Sequence, residues 1–224
     1  MLFGSGFDII EILLRIPALL LAFSVHECAH GYIAMKLGDP TARNLGRLTL
    51  NPIKHLDPFG TICMLLFGFG WAKPVPINAR YFKKPRRDMA LTAIAGPVSN
   101  LLLAFVGVFL FYSFAAVWVR FPPSSAYMRN VWELTFQFLR IFMTLNVSLA
   151  VFNMIPVPPL DGSRFFYVFL PPKWYFGVMK YERYIYIGVL VLVWTGAIGF
   201  VLSPVAGWLI KMMVRVVTLI PFFG

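Results

Sequence analysis

Two histidines and a glutamate form an H-E-x-x-H pattern near the start of the chain, at His26, Glu27 and His30. On an α-helix, which turns by about 100° per residue, the two imidazoles lie on one face and the carboxylate flanks them. This spacing offers a zinc ion two ligands and places a base where it can take a proton from water. The pattern therefore predicts a metal site with hydrolytic chemistry. The alternative is a pair of histidines that only hydrogen-bond to neighbouring helices, but it leaves the glutamate unexplained.

The sequence around this motif has the composition of a membrane protein. The motif lies between LLRIPALLLAFSV and GYIAM, and the whole chain is 59% hydrophobic and 13% charged, with 23 phenylalanines. Its mean hydropathy is +0.76. Such values place the chain in a lipid bilayer rather than among soluble domains. Ionisable groups at membrane depth are costly unless they bind a metal or a partner, so the motif is a candidate functional site.

The basic residues indicate a membrane orientation rather than a nucleic-acid site. The net charge is +11, and ten of the twenty lysines and arginines lie between Lys36 and Arg87. This follows the positive-inside rule and predicts that loops 38–88 and 156–183 and the C-terminus are cytoplasmic, with the N-terminus outside. No cleavable signal peptide is expected, because the first apolar run carries the metal motif. No disulfide is inferred for Cys28 and Cys63.

Hydrophobic runs and turn signals predict an all-α polytopic membrane protein with about five transmembrane helices. The expected spans are about 8–37, 89–119 and 131–155, followed by an apolar block, 184–223, that we expect to break near Ser203-Pro204 into two spans. Residues 59–78 are too short or too rich in proline for a span and are expected to form a membrane-associated extended or re-entrant segment. We expect a single domain, 1–224, with a core at about 8–162 that contains the candidate catalytic residues and C-terminal helices at about 184–223.

Zinc in a catalytic site takes a third protein ligand and keeps a position for water. Three candidates lie where the predicted topology allows contact with the first span: His55, Asp57 and Asp161. Asp161 is the best placed, because the run IPVPPLDG breaks the helix on both sides of it and lets the backbone bend towards the motif. The alternative is an ordinary aspartate in a turn.

Five short segments carry a resemblance to a known family: HECAH at 26–30, NPIKHLDPFG at 51–60, GWAKPVPIN at 70–78, AGPVSN at 95–100 and FNMIPVPPLDG at 152–162. With these motifs in this order the chain resembles the site-2 protease family of intramembrane zinc metalloproteases, in a minimal form without PDZ or CBS domains. The resemblance implies one zinc ion held by His26, His30 and Asp161, with Glu27 as general base and acid. It also implies that the substrates are single-span membrane proteins, cut within or near their transmembrane segments on the cytoplasmic side of the cell membrane.

Three polar residues near these motifs have open roles. The family does not use the histidine of NPIKHLDPFG as a ligand, so His55 is expected to orient either loop backbone or a group that holds a metal ligand in place. By resemblance, Asn153 is a substrate contact or a donor to the oxyanion of peptide hydrolysis, although it could instead compensate for backbone bonds that Pro156 removes. Asn146 lies two turns earlier on almost the same face and is a candidate substrate contact. The small residues of AGPVSN are expected to allow close helix packing.

A transmembrane substrate must unwind before its peptide bond can be attacked, and an extended segment could pair with it as an added strand. Residues 68–78 are the candidate segment, with Gly70, Trp71 and Val75 as substrate contacts. Because prolines remove donors, only one edge of such a strand can pair fully.

Other classes of protein fit the sequence less well. A membrane zinc enzyme of another zincin type would need a downstream glutamate ligand, and Glu133 and Glu182 lack that context. A transporter would need polar residues along several spans, and an inactive scaffold would usually have lost Glu27 or a ligand. The oligomeric state is not predicted.

Overall fold

The structure is a computed structural model that describes residues 9–57, residue 60 and residues 72–220. The regular structure of these residues is helical, apart from an isolated antiparallel bridge between Leu56 and Ala72, so the all-α class is confirmed. Short 3₁₀ turns cover Pro52–Lys54, Ala79–Tyr81 and Tyr167–Phe169. The α-helices are α1 (Ile9–Lys36), α2 (Thr41–Asn44), α3 (Pro85–Arg120), α4 (Ala126–Asn153), α5 (Asp161–Phe166), α6 (Pro172–Met179), α7 (Glu182–Trp194) and α8 (Ala197–Thr218).

Four helices of the described residues, α1, α3, α4 and α8, are long and apolar enough to cross a membrane. They present large apolar side chains outward, such as Leu102 on α3 and Trp208 on α8, which are 62% and 59% exposed. A surface of this kind is suited to lipid. Helix α7 has 13 residues and is therefore about 20 Å long, shorter than the roughly 30 Å hydrocarbon core. The predicted fifth span is not confirmed.

The prediction that the apolar block 184–223 breaks near Ser203-Pro204 was wrong. Pro204 lies inside α8, and the chain turns at Gly196, whose φ of +76° is left-handed. A membrane helix tolerates an internal proline because neighbouring groups can satisfy the freed backbone carbonyl. A glycine in the left-handed region ends a helix, because it adopts this conformation without a steric penalty from Cβ.

The core is a bundle of α1, α3 and α4, each of which packs against the other two. Helix α5 packs on α3, and α8 packs against α3 and α4. Small residues bring the helices close: Ala18 and Ala22 of α1 are fully buried, and a Cβ on Gly107 of α3 would lie 3.1 Å from the ring of Phe142. Close approach through small side chains is typical of membrane helices.

Apart from residue 60, the described part of the predicted extended segment is residues 72–78, which lie outside the helices, with a bridge at Ala72 and an extended backbone at Asn78, and it is fixed at both ends. Lys73 N–H donates to the carbonyl oxygen of His55 (2.8 Å). Asn78 N–H donates to the carboxylate of Asp39 (2.7 Å), which is fully buried just beyond the end of α1. The segment therefore runs beside the C-terminal half of the helix that carries the metal motif.

Candidate metal centre

Three potential metal ligands converge inside the bundle. His26 and His30, one turn apart on α1, bring their Nε2 atoms to 3.0 Å from each other. The Oδ2 atom of Asp161 lies 3.1 Å from each of them. Both histidines are buried, and the Asp161 side chain is 16% exposed. The structure thus brings together the two imidazoles and the carboxylate that the sequence suggested as ligands, and it includes neither His55 nor Asp57 in the group.

Asp161 reaches α1 because the chain turns back sharply after α4. Asp161 is the first residue of α5, and the next residue, Gly162, lies against the end of the preceding helix. A Cβ on Gly162 would be 2.5 Å from the carbonyl oxygen of Ile155 and closer still to that of Met154. Glycine is therefore required at this position for the carboxylate to face the histidines.

A second hydrogen bond orients each imidazole. His30 Nδ1 donates to the carbonyl oxygen of Thr92 (2.7 Å), and His26 Nδ1 lies 2.8 Å from Oδ1 of Asn100. Since a carbonyl oxygen can only accept, the proton of His30 is on Nδ1, and its Nε2 presents a lone pair to the site. Metal-binding histidines are commonly held in this way.

Helix α3 also lies directly against the ring edges that carry the Nε2 atoms. A Cβ on Gly96 would lie 2.5 Å from Cε1 and 2.6 Å from Nε2 of His26, and would also overlap His30. The small residues of AGPVSN were expected to allow close packing, and at Gly96 that packing is against the metal-site imidazoles themselves.

The donor set fits a zinc ion. With Nδ1 protonated, the imidazole Nε2 atoms and a carboxylate oxygen are three acceptors within 3.1 Å of one another, an arrangement that needs a cation or a shared proton among them. Ligands of a tetrahedral zinc at about 2.0–2.1 Å are roughly 3.3–3.4 Å apart, close to these separations. In the absence of a metal, a proton held by the imidazoles supplies this positive charge: burial by itself would raise the pKa of Asp161, but hydrogen bonds from the protonated imidazoles and their charge outweigh it and hold this pKa well below its usual value. A carboxyl group binds zinc in the same ionised form.

Glu27 is half-buried and points to the extended segment. Its Oε2 accepts a hydrogen bond from the backbone N–H of Val75 (2.7 Å). Val75 is the one residue between Pro74 and Pro76 and so carries the only N–H of that triplet. The catalytic candidate next to His26 is therefore held by a backbone donor from outside its own helix.

The other predicted site residues lie as follows. Val75 was expected to contact substrate, but its side chain is only 6% exposed. It packs against Gly31, where an added Cβ would lie 3.2 Å from the Val75 side chain. The contribution of Val75 to the site is therefore its backbone N–H group. The predicted contacts Gly70 and Trp71 lie outside the described residues. Asn153, at the end of α4, donates to the carbonyl oxygen of Leu149 (3.0 Å).

Asn146 and His55 are both fully buried. Asn146 was proposed as a substrate contact, but its amide bonds to the carbonyl of Phe142 and to Asn100, so in this structure it faces the protein interior. His55 Nε2 donates to the carbonyl oxygen of Thr49 (2.7 Å). Of the two expected roles for His55, this bond agrees with the orientation of loop backbone.

Asn100 is the site residue that sequence reasoning missed. It lies in AGPVSN, which we interpreted through its small residues alone. The sequence did indicate a role for Asn100, because an asparagine in the middle of an apolar span is costly unless it has a buried partner. The contribution of Thr92 is a backbone carbonyl, which no side-chain pattern can indicate.

In this protein a bundle of membrane-length helices brings an H-E-x-x-H helix and a distant aspartate together at one site. These features define the class of membrane-embedded metalloproteases. Comparisons with known proteins agree. The model of peptidase family M50 matches residues 117–195. The relatives include proteins named "Putative zinc metalloprotease". YwhC of Bacillus subtilis is 48% identical over 83% of this chain and 82% of its own length. Rip2 of Mycolicibacterium smegmatis is 28% identical over 84% and 69%, and MJ0611 of Methanocaldococcus jannaschii is 29% identical over 71% and 72%.

The chain belongs to peptidase family M50, the site-2 protease family. Membership implies zinc as the metal, in agreement with the His-His-Asp donor set. It also agrees with a multi-pass membrane location for the four long helices. No solved structure gives a significant match to the chain.

Proposed function

We propose that this protein is an intramembrane zinc endopeptidase that hydrolyses peptide bonds within or near the transmembrane segments of single-span membrane proteins. One observation carries the proposal: the Nε2 atoms of His26 and His30 and the carboxylate of Asp161 converge within 3.1 Å inside a bundle of membrane-length helices, with Glu27 next in sequence to His26. The whole chain is proposed to act as one protease domain.

In this proposal His26, His30 and Asp161 hold the zinc ion, and Glu27 acts as general base and then general acid. Zinc, when bound, would supply a Lewis acid that polarises the scissile carbonyl and makes water more acidic. Glu27 would take the proton from the attacking water and deliver it to the leaving amine. The hydrogen bond from Val75 N–H fixes one oxygen of Glu27, which favours a single orientation of the carboxylate during both transfers.

Asn153 is proposed to donate to the oxyanion that develops on the scissile carbonyl. It lies at the last residue of α4, eight positions before Asp161. Its amide donates one N–H to the carbonyl oxygen of Leu149, and the second N–H of the same amide would be the one that reaches the oxyanion.

The substrate is proposed to enter as a locally unwound segment beside residues 68–78. The described part of that segment restricts where pairing can occur. The N–H groups of Lys73 and Val75 are used by His55 and Glu27, Pro74 and Pro76 have none, and Arg47 donates to the carbonyl oxygens of Lys73 and Pro74. We therefore expect substrate to pair with the residues before Lys73. Single cysteines at 68–71 should crosslink to a stalled substrate, whereas a cysteine at the buried position 75 should not.

The active site is proposed to face the cytoplasm, because the basic residues concentrate in the loops on the side where α1 ends and α5 begins. Reporter fusions after Arg87 and after Ala126 should then fall on opposite sides of the membrane. Finding both reporters in the same compartment would refute this orientation.

The proposal as a whole is tested by co-expression with candidate single-span substrates. The wild-type chain should cleave, and Glu27→Gln should retain zinc but lose about 10²- to 10⁴-fold of the rate, the usual contribution of a general base. Asp161→Ala should lose both zinc and cleavage. Full zinc in Asp161→Ala would remove it from the ligand set, and undiminished cleavage by Glu27→Gln would exclude the proposed mechanism. If the wild-type chain binds zinc but cleaves none of the candidate substrates, this result would favour an inactive scaffold over a protease.

A further inference from the structure

We propose that Asn100 and Asn146 are positioning residues that set which nitrogen of His26 faces the metal. This inference rests on the proposed zinc-dependent function and adds two residues to it. The two side chains form a hydrogen-bonded path from α4, through α3, to the imidazole on α1.

The path consists of three hydrogen bonds. The Asn146 amide donates to the carbonyl oxygen of Phe142 (2.9 Å), the Asn100 amide donates to Oδ1 of Asn146 (3.2 Å), and Oδ1 of Asn100 lies 2.8 Å from Nδ1 of His26. Both asparagines are fully buried, with 0% of their surface exposed. Water therefore does not compete for these groups.

The direction of the path follows from its starting point. A backbone carbonyl oxygen can only accept, so Phe142 requires the NH₂ end of Asn146 and leaves the Oδ1 end towards Asn100. That oxygen requires the NH₂ end of Asn100, which leaves Oδ1 of Asn100 towards His26. His26 must then carry its proton on Nδ1 and present the Nε2 lone pair to the metal. A helix carbonyl on α4 thus selects the tautomer of a ligand on α1.

The two histidines differ in how this choice is enforced. His30 donates directly to the backbone carbonyl of Thr92, which no side-chain substitution removes. His26 depends on two side chains, either of which can be changed. The path therefore predicts that the affinity for zinc is sensitive to Asn100 and Asn146, two residues that do not touch the metal.

A purely structural role for the two asparagines makes a different prediction. Buried amides can also hold membrane helices together, and in that case a buried aspartate should be tolerated no better than a leucine of similar size. If the path orients His26, aspartate and leucine at these positions should have opposite effects on the affinity for zinc. An aspartate offers an oxygen acceptor in either protonation state, towards His26 at position 100 or towards Asn100 at position 146, whereas leucine offers none.

The test compares aspartate with leucine at each position. Purified full-length protein in detergent would be titrated with zinc against a chromophoric chelator, and the visible spectrum of the cobalt(II)-loaded protein would report the ligand geometry independently of activity. Asn100→Leu should weaken zinc binding about 10- to 100-fold, as loss of a group that orients a ligand usually does. Asn146→Leu should weaken it about 10-fold. Asn100→Asp and Asn146→Asp should keep most of the affinity and a wild-type-like cobalt spectrum.

Ser24→Ala is the matched control, because Ser24 is a buried polar residue on α1 whose hydroxyl donates to Leu20. It should bind zinc like the wild type. Equal affinities for the aspartate and leucine variants at both positions, or wild-type affinity in Asn100→Leu, would overturn the path. If one leucine variant cannot be purified, the other position still gives the comparison. A wild-type protein that binds no zinc would instead overturn the proposed function, and the path with it.

Discussion

The first 166 residues and the C-terminal helices of this protein differ in what they bury. Among the described residues, the fully or nearly buried polar side chains lie between Ser24 and Ser163. Helix α7 has no buried residue, and α8 buries only Ala206 and Val217. Polar groups are placed inside a membrane protein only at a cost, so their distribution marks where chemistry is done. The C-terminal helices supply apolar surface for the bundle and for lipid.

The same substitution should have very different effects in these two regions. Gly96→Ala, on α3 beside the Nε2 atoms of the candidate metal site, places a Cβ 2.5 Å from the ring of His26, and both imidazoles are already fixed by hydrogen bonds from their Nδ1 atoms. The rings must move off the common point, so zinc affinity should fall by more than about 100-fold, beyond the usual loss for a group that only orients a ligand. Zinc titration of the purified variant measures this.

Gly207→Ala on α8 is the control for that substitution, because a Cβ there would meet no atom within 4 Å. It should leave zinc affinity unchanged and stabilise the helix by up to about 1 kcal/mol, since alanine loses less backbone entropy than glycine. Zinc loss in Gly207→Ala, or none in Gly96→Ala, would show that the division between the two regions is wrong.

A smaller effect is expected at Val75, whose contribution to the site is one N–H group. Val75→Pro removes that donor from Glu27 while the backbone before Pro76 is already restricted to an extended form. A hydrogen bond to a charged group contributes about 1.5–3 kcal/mol, so kcat should fall about 10- to 100-fold while zinc content stays at the wild-type level.

Val75→Ala separates this role from packing, because it keeps the N–H group and loses contact with Gly31. It should keep a kcat well above that of Val75→Pro. Equal losses in both variants would mean that the segment supports the site through its side chain and not through the hydrogen bond to Glu27.

The sequence predicted which side chains converge at the candidate metal site better than it predicted the C-terminal helices, for a physical reason. His26, Glu27 and Asp161 are isolated ionisable residues in apolar surroundings, and proline and glycine around Asp161 indicate where the backbone can turn. Residues 184–223 contain few such signals, and an apolar block does not show where one helix ends. Proline was the more conspicuous signal there, but Gly196 breaks the helix.

Within the candidate site, the sequence picked out the three residues that converge, His26, His30 and Asp161, and missed those that orient them. The contact between Asn100 and His26 joins residues 74 positions apart, and it depends on how α1 and α3 pack. No local pattern encodes that pairing. The donor from Val75 to Glu27 is a backbone group and leaves no mark in the residue type.

The smallest effect is expected at the break between α7 and α8. Gly196→Ala puts a Cβ on a residue with a φ of +76°, which should cost about 1–2 kcal/mol of stability, measurable as a lower midpoint of unfolding by a denaturing detergent. Zinc affinity and kcat should be unchanged, because no buried polar residue lies on either helix. Gly199→Ala, with open space around its Cβ and no positive φ, should not be destabilised. If Gly196→Ala instead loses zinc, the C-terminal helices help to form the metal site, and the two regions act as one.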